Sequence, residues 1–188
     1  MSLIDWSNAP KFGRIAGIKG ALQKLHDLCK QGEKRTIVEI GCARGDCKGS
    51  MEGDGWSTVA FGWYCSKNNG QLTTIDLSDK SIKVCKSLTA NYSDCIDYVC
   101  KGSIEGLYDL REAGVSVDLL YLDGSRHPAN SYCEYHMIKN NLSERAIILI
   151  DDVNFDDNGK GKLVIPQLIQ EGWLTNEKNN QQQMFWRK

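Results

Sequence analysis

Residues 36–41 read Thr36-Ile37-Val38-Glu39-Ile40-Gly41, a largely β-branched run that ends at a glycine. Four further apolar runs follow along the chain, at 72–75, 96–100, 117–122 and 146–150. Three of these four lead directly into an aspartate. Short and nearly continuous apolar runs are typical of strands buried on both faces of a parallel sheet.

Helical patterns lie between these runs. Apolar residues recur at helical spacing at 18–29, 59–64, 82–88, 135–142 and 165–169, and Ser78 is a candidate N-cap. The alternation predicts an α/β fold with a doubly wound, mostly parallel seven-stranded sheet. At the end of the chain, 173–177 and 183–187 look like two strands joined by Lys178-Asn179-Asn180. Strands joined so tightly pair antiparallel, so the sequence predicts a C-terminal antiparallel hairpin.

Length and charge limit the class of protein. The 188 residues suit one domain, with an N-terminal helical or lid segment at 1–34 and the sheet core at 35–188. A net charge of -1 provides no general attraction to nucleic acid or to an acidic membrane. No apolar run has the length of a membrane span or of a signal peptide core. We therefore expect a cytoplasmic protein with a small-molecule partner and neither nucleic acid nor membrane; a homodimer is compatible with the sequence.

Eight cysteines are scattered along the chain, and none forms a Cys-x-x-Cys pair. Reduced thiols that act as small hydrophobes are therefore expected in preference to disulfides or a zinc site.

The predicted strand ends carry the polar residues of interest, because ligands of such sheets bind beyond the carboxyl ends of the strands. These ends read Glu39-Ile40-Gly41, Asp76, Gly102-Ser103, Asp123-Gly124 and Asp151-Asp152. Buried carboxylates are costly without partners, so a purely structural sheet has no need of them. Their grouping at one edge predicts a binding site.

Residues 38–45, Val-Glu-Ile-Gly-Cys-Ala-Arg-Gly, resemble the first motif of class I S-adenosylmethionine-dependent methyltransferases. Asp76 resembles the acid at the end of that family's second strand. Residues 122–127 and 150–152 resemble two strand ends of its small-molecule O-methyltransferase branch. The resemblance spans roughly residues 35–187. It implies a Rossmann-like fold and the transfer of a methyl group from S-adenosylmethionine to a small-molecule acceptor, foremost a hydroxyl oxygen.

The resemblance also implies how the cofactor is held. Glycines such as Gly41 let the backbone approach the methionine part, and N–H groups at a helix start can bind its carboxylate. The acids Glu39, Asp76 and Asp123 are implied as cofactor residues, with Asp76 accepting the ribose hydroxyls. Ser103 is placed at the adenine edge.

The spacing after the first motif departs from the family. Gly45 precedes Asp76 by 31 positions, against roughly 20 in related nucleotide-binding folds, whereas Gly55 precedes it by 21. We infer an insertion at 46–54, which favours Gly55 and Ser57 as cofactor-binding residues over Gly45. A plain surface loop is the alternative. This insertion and residues 1–17, with Trp6 and Phe12, are the candidate lids.

Asp123, Asp151 and Asp152 permit two interpretations. In the catechol-type O-methyltransferases that the sequence resembles, three oxygen ligands at these strand ends bind Mg²⁺, which holds and acidifies the acceptor hydroxyl. Here Asp152 stands where that family commonly has asparagine. Alternatively, Asp123 serves cofactor and substrate while Asp152 caps a loop. The sequence leaves both open.

His127 and Asp123 are the candidate catalytic residues. An imidazole can take a hydroxyl proton near neutral pH, and Pro128 places His127 in a loop before a helix. An exposed loop histidine without a catalytic role is the alternative.

Two other classes of function stay open. An NAD(P)-dependent oxidoreductase is suggested by Tyr135-x-x-x-Lys139, but Cys47 stands where its glycine motif needs a third glycine, and the terminal hairpin is atypical. A non-catalytic cofactor-binding module is the other class.

Overall fold

The computed structural model describes residues 3–11, 13, 15–45, 51, 56–154, 159–175 and 181–187. The strands are β1 (Arg35–Ile40), β2 (Gly70–Asp76), β3 (Ile96–Cys100), β4 (Val117–Leu122), β5 (Leu142–Ile150), β6 (Leu174–Thr175) and β7 (Gln183–Trp186). The helices are α1 (Ile15–Leu28), α2 (Ser57–Lys67), α3 (Asp79–Leu88), α4 (Ser103–Glu112), α5 (Pro128–Ile138) and α6 (Gly161–Gln170). Short 3₁₀ turns cover Ala90–Cys95 and Lys139–Asn141.

The strands form one seven-stranded sheet in the order β3-β2-β1-β4-β5-β7-β6. Strands β1 to β5 are parallel, and β1 lies between β2 and β4, so that Ile37 pairs with Leu72 and with Leu119. The strand order changes direction between β1 and β4, which is where ligands bind in open α/β sheets. The predicted doubly wound, mostly parallel sheet is confirmed.

The C-terminal strands are antiparallel, as predicted. β7 pairs with β6, where Thr175 lies opposite Phe185, and it also pairs antiparallel with β5, where Ile150 lies opposite Gln183. The predicted turn at Lys178-Asn179-Asn180 lies outside the described residues.

Two apolar layers enclose the sheet, because successive side chains of a strand point to opposite faces. Ile37, Leu119 and Ile147 pack with residues of α1 and α2 on one face, including Leu22 and Phe61. Their neighbours Val38, Leu120 and Ile148 pack on the other face with residues of α4, α5 and α6, including Leu107, Tyr135 and Leu168.

One buried carboxylate ties the opposite, amino-terminal end of the sheet together. Asp118 in β4 accepts hydrogen bonds from the Thr36 N–H at 2.9 Å, the Ser143 hydroxyl at 2.8 Å and the Arg145 Nε at 3.0 Å. These donors lie in β1 and β5, on both sides of β4. Asp118 is therefore structural, and it differs in position from the acids at the carboxyl ends.

Some local predictions differ from the structure. The helical pattern at 135–142 stops early, because α5 ends at Ile138 and Leu142 begins β5. Helix α4 has no counterpart among the predicted helices. Ser78 is the N-cap of α3, and its hydroxyl accepts the Ser81 N–H at 3.2 Å.

The described cysteines are all free thiols; Cys47 is not among the described residues. Within the described part of the chain, no helix has both the length and the apolar character needed to cross a membrane.

Candidate functional site

A cavity of about 820 Å³ opens where the carboxyl ends of β1, β2 and β4 meet. Five of the residues predicted to bind a cofactor lie on its wall: Gly41, Ser57, Asp76, Ser103 and Asp123. Gly41 and Asp123 follow strands, Asp76 ends one, and Ser57 and Ser103 begin α2 and α4. The parallel sheet thus brings residues that are distant in sequence to one cavity.

Gly41 is where the backbone leaves β1 and passes closely beside β4. Its φ is 87°, and a Cβ built on it would lie 2.6 Å from the carbonyl oxygen of Asp123. Its N–H donates to the Ile75 carbonyl at 2.8 Å. No larger residue fits this position, because both the φ angle and the space require glycine.

Asp76 is held by the backbone on both sides of the cavity rim. Its Oδ2 accepts the Cys42 N–H at 3.2 Å, and its Oδ1 accepts the Ser78 N–H at 2.7 Å. The side chain is half-buried and faces the cavity. A carboxylate has further lone pairs beyond these two contacts, and it can accept hydroxyl groups of a ligand with them.

Glu39 lies behind the wall of the cavity and does not line it. Its side chain is fully buried. Its Oε1 accepts the Ser57 hydroxyl at 2.5 Å, while its Oε2 accepts the hydroxyls of Thr58 and Thr74, each at 2.7 Å. The sequence placed Glu39 among the residues that touch the cofactor. In the structure it positions Ser57, which does line the cavity.

The loop after β1 is fixed by the same group of hydroxyls. The Thr58 hydroxyl also accepts the Ala43 N–H at 3.0 Å. Trp56, which precedes α2 with a φ of 48°, donates from its indole N–H to the Gly45 carbonyl at 2.8 Å. Gly55 and all of the inferred insertion at 46–54 except Met51 lie outside the described residues.

Burial raises the pKa of the Glu39 carboxyl to about 7. The three hydroxyl donors oppose this shift, and the negative charge of Asp123 adds to it. Removal from water disfavours the charged form more than three neutral donors favour it. Glu39 therefore gains its proton well above its ordinary range.

A second buried acid, Glu134 on α5, was not predicted. It is 1% exposed, lines the cavity, and has no hydrogen-bond partner at Oε1 among the described residues. Burial raises the pKa of its carboxyl, whereas the Ser103 hydroxyl and the Lys160 ammonium lower it. The only feature of the sequence that could have indicated this site residue is its position, an acid next to the apolar helix face that contains Tyr135 and Ile138.

The three aspartates considered for Mg²⁺ lie together, as expected for adjacent strand ends. One oxygen from each of Asp123, Asp151 and Asp152 lies within 4.8 Å of the others. The ammonium of Lys160 lies among them, 2.5 Å from Asp123 Oδ1 and 3.1 Å from Asp152 Oδ2. Lys160 is 1% exposed. Lys160 was not predicted as a site residue, since no strand end or motif lies beside it in the sequence.

His127 is exposed and is not among the residues that line the cavity. It is the N-cap of α5, and its Nδ1 accepts the Ala129 N–H at 3.3 Å. Pro128 follows as the first helical residue, a position that suits proline. The structure thus gives His127 a structural task, while its role as a general base stays a prediction.

The candidate lids are only partly described. Trp6 packs against Trp63 of α2, with ring centroids 5.3 Å apart, and the Lys19 ammonium lies 4.9 Å from its ring centroid. Trp6 therefore belongs to the apolar layer beside α2 in this structure, whereas Phe12 lies outside the described residues.

Replacing Glu39 with glutamine is expected to change how stability depends on pH. The wild-type folded state binds one more proton than the unfolded chain between about pH 4.5 and pH 7, so its free energy of unfolding falls as the pH rises through that window. The shift corresponds to about 3 kcal/mol. Glu39→Gln removes this slope, whereas Glu144→Gln, at an exposed position of β5, keeps it. Urea unfolding at several pH values measures the free energy of unfolding for each variant. If that free energy depended on pH in the same way in the wild type and in Glu39→Gln, the raised pKa of Glu39 would be contradicted.

Comparison with known proteins identifies the family. A family model described as "Methyltransferase domain" matches residues 52–153, more than half of the chain. No curated protein is similar enough in sequence to count as a relative.

Solved structures share the fold at low sequence identity. An O-methyltransferase from Bacillus cereus in complex with SAH (S-adenosylhomocysteine) is 16% identical, with a TM-score of 0.61, and the match covers 97% of this chain and 94% of that one. The SAH-bound methyltransferase PaMTH1 from Podospora anserina is 18% identical, with a TM-score of 0.65 and coverage of 93% and 79%. An rRNA methylase from Streptococcus thermophilus is 9% identical, with a TM-score of 0.61 and coverage of 91% and 96%.

The family model confirms the methyltransferase resemblance that the strand ends indicated, and the solved structures confirm the fold. Neither the family model nor the neighbouring folds support the oxidoreductase alternative. The chain belongs to the methyltransferase domain family, and its sheet has the Rossmann-like methyltransferase fold.

Proposed function

We propose that this protein transfers a methyl group from S-adenosylmethionine to a hydroxyl oxygen of a small molecule. The observation that carries the proposal is the cavity at the switch point of the sheet, with Gly41, Asp76, Ser103 and Asp123 on its wall. Two of the solved structures with this fold are described as bound to SAH, the demethylated cofactor.

The cavity wall offers a partner for each part of the cofactor. The bare backbone at Gly41 allows close approach of the methionine part, and the N-terminus of α2 at Ser57 favours its carboxylate. Asp76, anchored by two backbone N–H groups, has lone pairs left for the ribose hydroxyls.

Glu134 and Ser103 supply polar atoms at another part of the wall. The buried Oε1 of Glu134 needs a donor, and the exocyclic amino group of adenine is one. Ile104 and Met137 line the same cavity and provide apolar surface for a flat base. We assign this part of the cavity to adenine.

Methyl transfer then depends mainly on alignment. The bound sulfonium supplies an electrophilic methyl group. The chain holds the cofactor at its ribose and adenine, so that the methyl position stays fixed while an acceptor oxygen approaches in line. Asp123, on the wall where β4 ends, is a candidate to orient the acceptor hydroxyl. As the C–O bond forms, the S–CH₃ bond would break to leave neutral S-adenosylhomocysteine, and the hydroxyl proton would pass to a base, for which Asp123 and His127 are the candidates.

The charges of the cavity favour a small acceptor over nucleic acid. Among the residues that the structure describes, Asp76, Glu105, Asp123 and Glu134 line it, against one basic residue, Arg44. A polyanion is repelled by such a wall, and the chain as a whole has a net charge of -1. An rRNA methylase shares the fold, so the fold itself does not select the acceptor. The cytoplasmic location and the homodimer remain predictions.

Binding of S-adenosylhomocysteine tests the assignment of Asp76. Asp76→Asn keeps the shape of the side chain but loses the charge-assisted hydrogen bonds to the ribose, so affinity is expected to fall by about 1.5–3 kcal/mol. Asp79→Asn, on the exposed first turn of α3, leaves affinity unchanged. Titration calorimetry measures both. Tight binding of NAD with no response to S-adenosylmethionine or its product would refute the proposed function.

Glu134 is expected to distinguish adenine from hypoxanthine. S-inosylhomocysteine carries a carbonyl where the adenine has its amino group, so the wild type should bind it roughly ten- to a hundredfold more weakly than S-adenosylhomocysteine. Glu134→Gln offers an amide N–H to that carbonyl, and the preference should shrink at least about tenfold. Glu105→Gln, at an exposed position on the same wall, serves as control. An unchanged preference in Glu134→Gln would remove Glu134 from the adenine site.

Two substitutions separate the roles of His127. Asparagine is a good N-cap and alanine is a poor one, so His127→Ala is expected to lose about 1 kcal/mol of stability and His127→Asn little. If His127 only caps α5, both variants keep their turnover per folded molecule. A fall of roughly 10²–10⁴-fold in kcat in both variants, with unchanged cofactor affinity, would instead assign it as the general base.

A further inference from the structure

The site predicted for Mg²⁺ contains the positively charged side chain of a lysine, Lys160. Lys160 is among the largest fully buried side chains, and lysine is rarely buried in full unless it is paired. Its ammonium bridges two of the three clustered aspartates, Asp123 and Asp152. The positive charge thus lies where a metal between the strand ends of β4 and β5 would lie.

The donor set does not fit Mg²⁺ while Lys160 is in place. Mg²⁺ requires oxygens at about 2.0–2.1 Å in nearly ideal octahedral geometry. A metal shared by Asp123 and Asp152 would compete for the oxygens that accept the ammonium hydrogens. It would also lie within a few ångströms of a buried positive charge, where repulsion is strong because little water screens it.

We infer that Lys160 is a resident counter-ion that replaces the divalent metal at this strand end. It positions the Asp123 carboxylate, which lines the cavity, and it offsets part of the negative charge of the three aspartates. For the reaction, which rests on the proposed function, this means that methyl transfer proceeds without a divalent cation.

The local backbone places the lysine there. Asp152 has a φ of 50°, which turns the chain sharply after β5. Its carbonyl accepts the Lys160 N–H at 3.3 Å, which holds the start of α6 beside the end of β5. The next residue, Val153, donates its N–H to the Gln181 carbonyl at 2.8 Å and fastens the loop to the segment before β7. Lys160 therefore enters the cluster from the start of α6.

The charge of Lys160 also reaches the cavity. It lowers the pKa of Glu134, against the effect of burial, and it is hydrogen-bonded to a carboxylate on the cavity wall. Lys160 itself does not line the cavity. It is therefore a positioning residue, which acts through Asp123.

Binding of Mn²⁺, followed by the loss of its electron paramagnetic resonance signal, tests the inference on the full chain. The wild type is expected to bind no Mn²⁺ up to millimolar concentration, and a chelator should change neither its Tm nor its affinity for S-adenosylhomocysteine. Lys160→Ala opens the three-carboxylate site and should bind one Mn²⁺. The added substitution Asp152→Asn should weaken that binding at least tenfold, and Lys162→Ala, at an exposed position of α6, should behave as wild type.

Two results would overturn the inference. Stoichiometric Mn²⁺ binding by the wild type would show that the lysine yields its place to a metal. A folded Lys160→Ala that binds no Mn²⁺ would show that the aspartates are not a cation site. If Lys160→Ala does not fold, the wild-type titration and Lys160→Gln, which keeps most of the side chain without its charge, decide in the same way. Metal binding is measured without the cofactor, so failure of the proposed function would appear separately, as absent binding of S-adenosylhomocysteine.

Discussion

The buried carboxylate of Glu39 is the constraint on which the site depends. A carboxylate removed from water is costly unless donors surround it, so Ser57, Thr58 and Thr74 must converge on it. These hydroxyls join β1 to β2 and to the start of α2. They also position the loop after β1, because the Thr58 hydroxyl accepts a hydrogen bond from the Ala43 N–H. The position of Ser57 on the cavity wall is therefore set by a residue that does not touch the cavity.

A balance of charge organises the rest of the site. The carboxyl ends of parallel strands share one edge, so the acids that follow β2, β4 and β5 collect there. Asp76 accepts hydrogen bonds from two backbone N–H groups, whereas Asp123 and Asp152 both form ion pairs with the ammonium of Lys160. Glu134 has one buried oxygen that finds no hydrogen-bond partner in the described part of the chain. A buried oxygen without a hydrogen bond destabilises the folded state. A ligand that donates a hydrogen bond to this oxygen removes that penalty, which adds to its binding free energy.

The sequence predicted most of the sheet because buried strands carry a strong signal. The predicted bounds of β3 and β4 agree with the structure, since each is a largely apolar run with one aspartate near its start, and each ends where polar residues and a glycine follow. Leu142 was assigned to a helix because the 3.6-residue pattern continues by chance through the 3₁₀ turn before β5. The residues at strand ends were predictable from topology alone. Glu134 and Lys160 were not, because one lies inside a helix and the other in a loop.

The three aspartates illustrate what a motif omits. Asp123, Asp151 and Asp152 give the same pattern in the sequence whether a metal or an ammonium joins them, because the pattern specifies the acceptors and not the cation. Lys160 follows Asp152 by eight positions, and no pattern in the intervening sequence predicts that the two side chains meet. Only the left-handed turn at Asp152 and the return of the chain to α6 bring the lysine back to the strand end. An acidic triad at the ends of β4 and β5 therefore predicts a cation. The residues that follow β5 determine whether that cation is a bound metal ion or the ammonium group of a lysine.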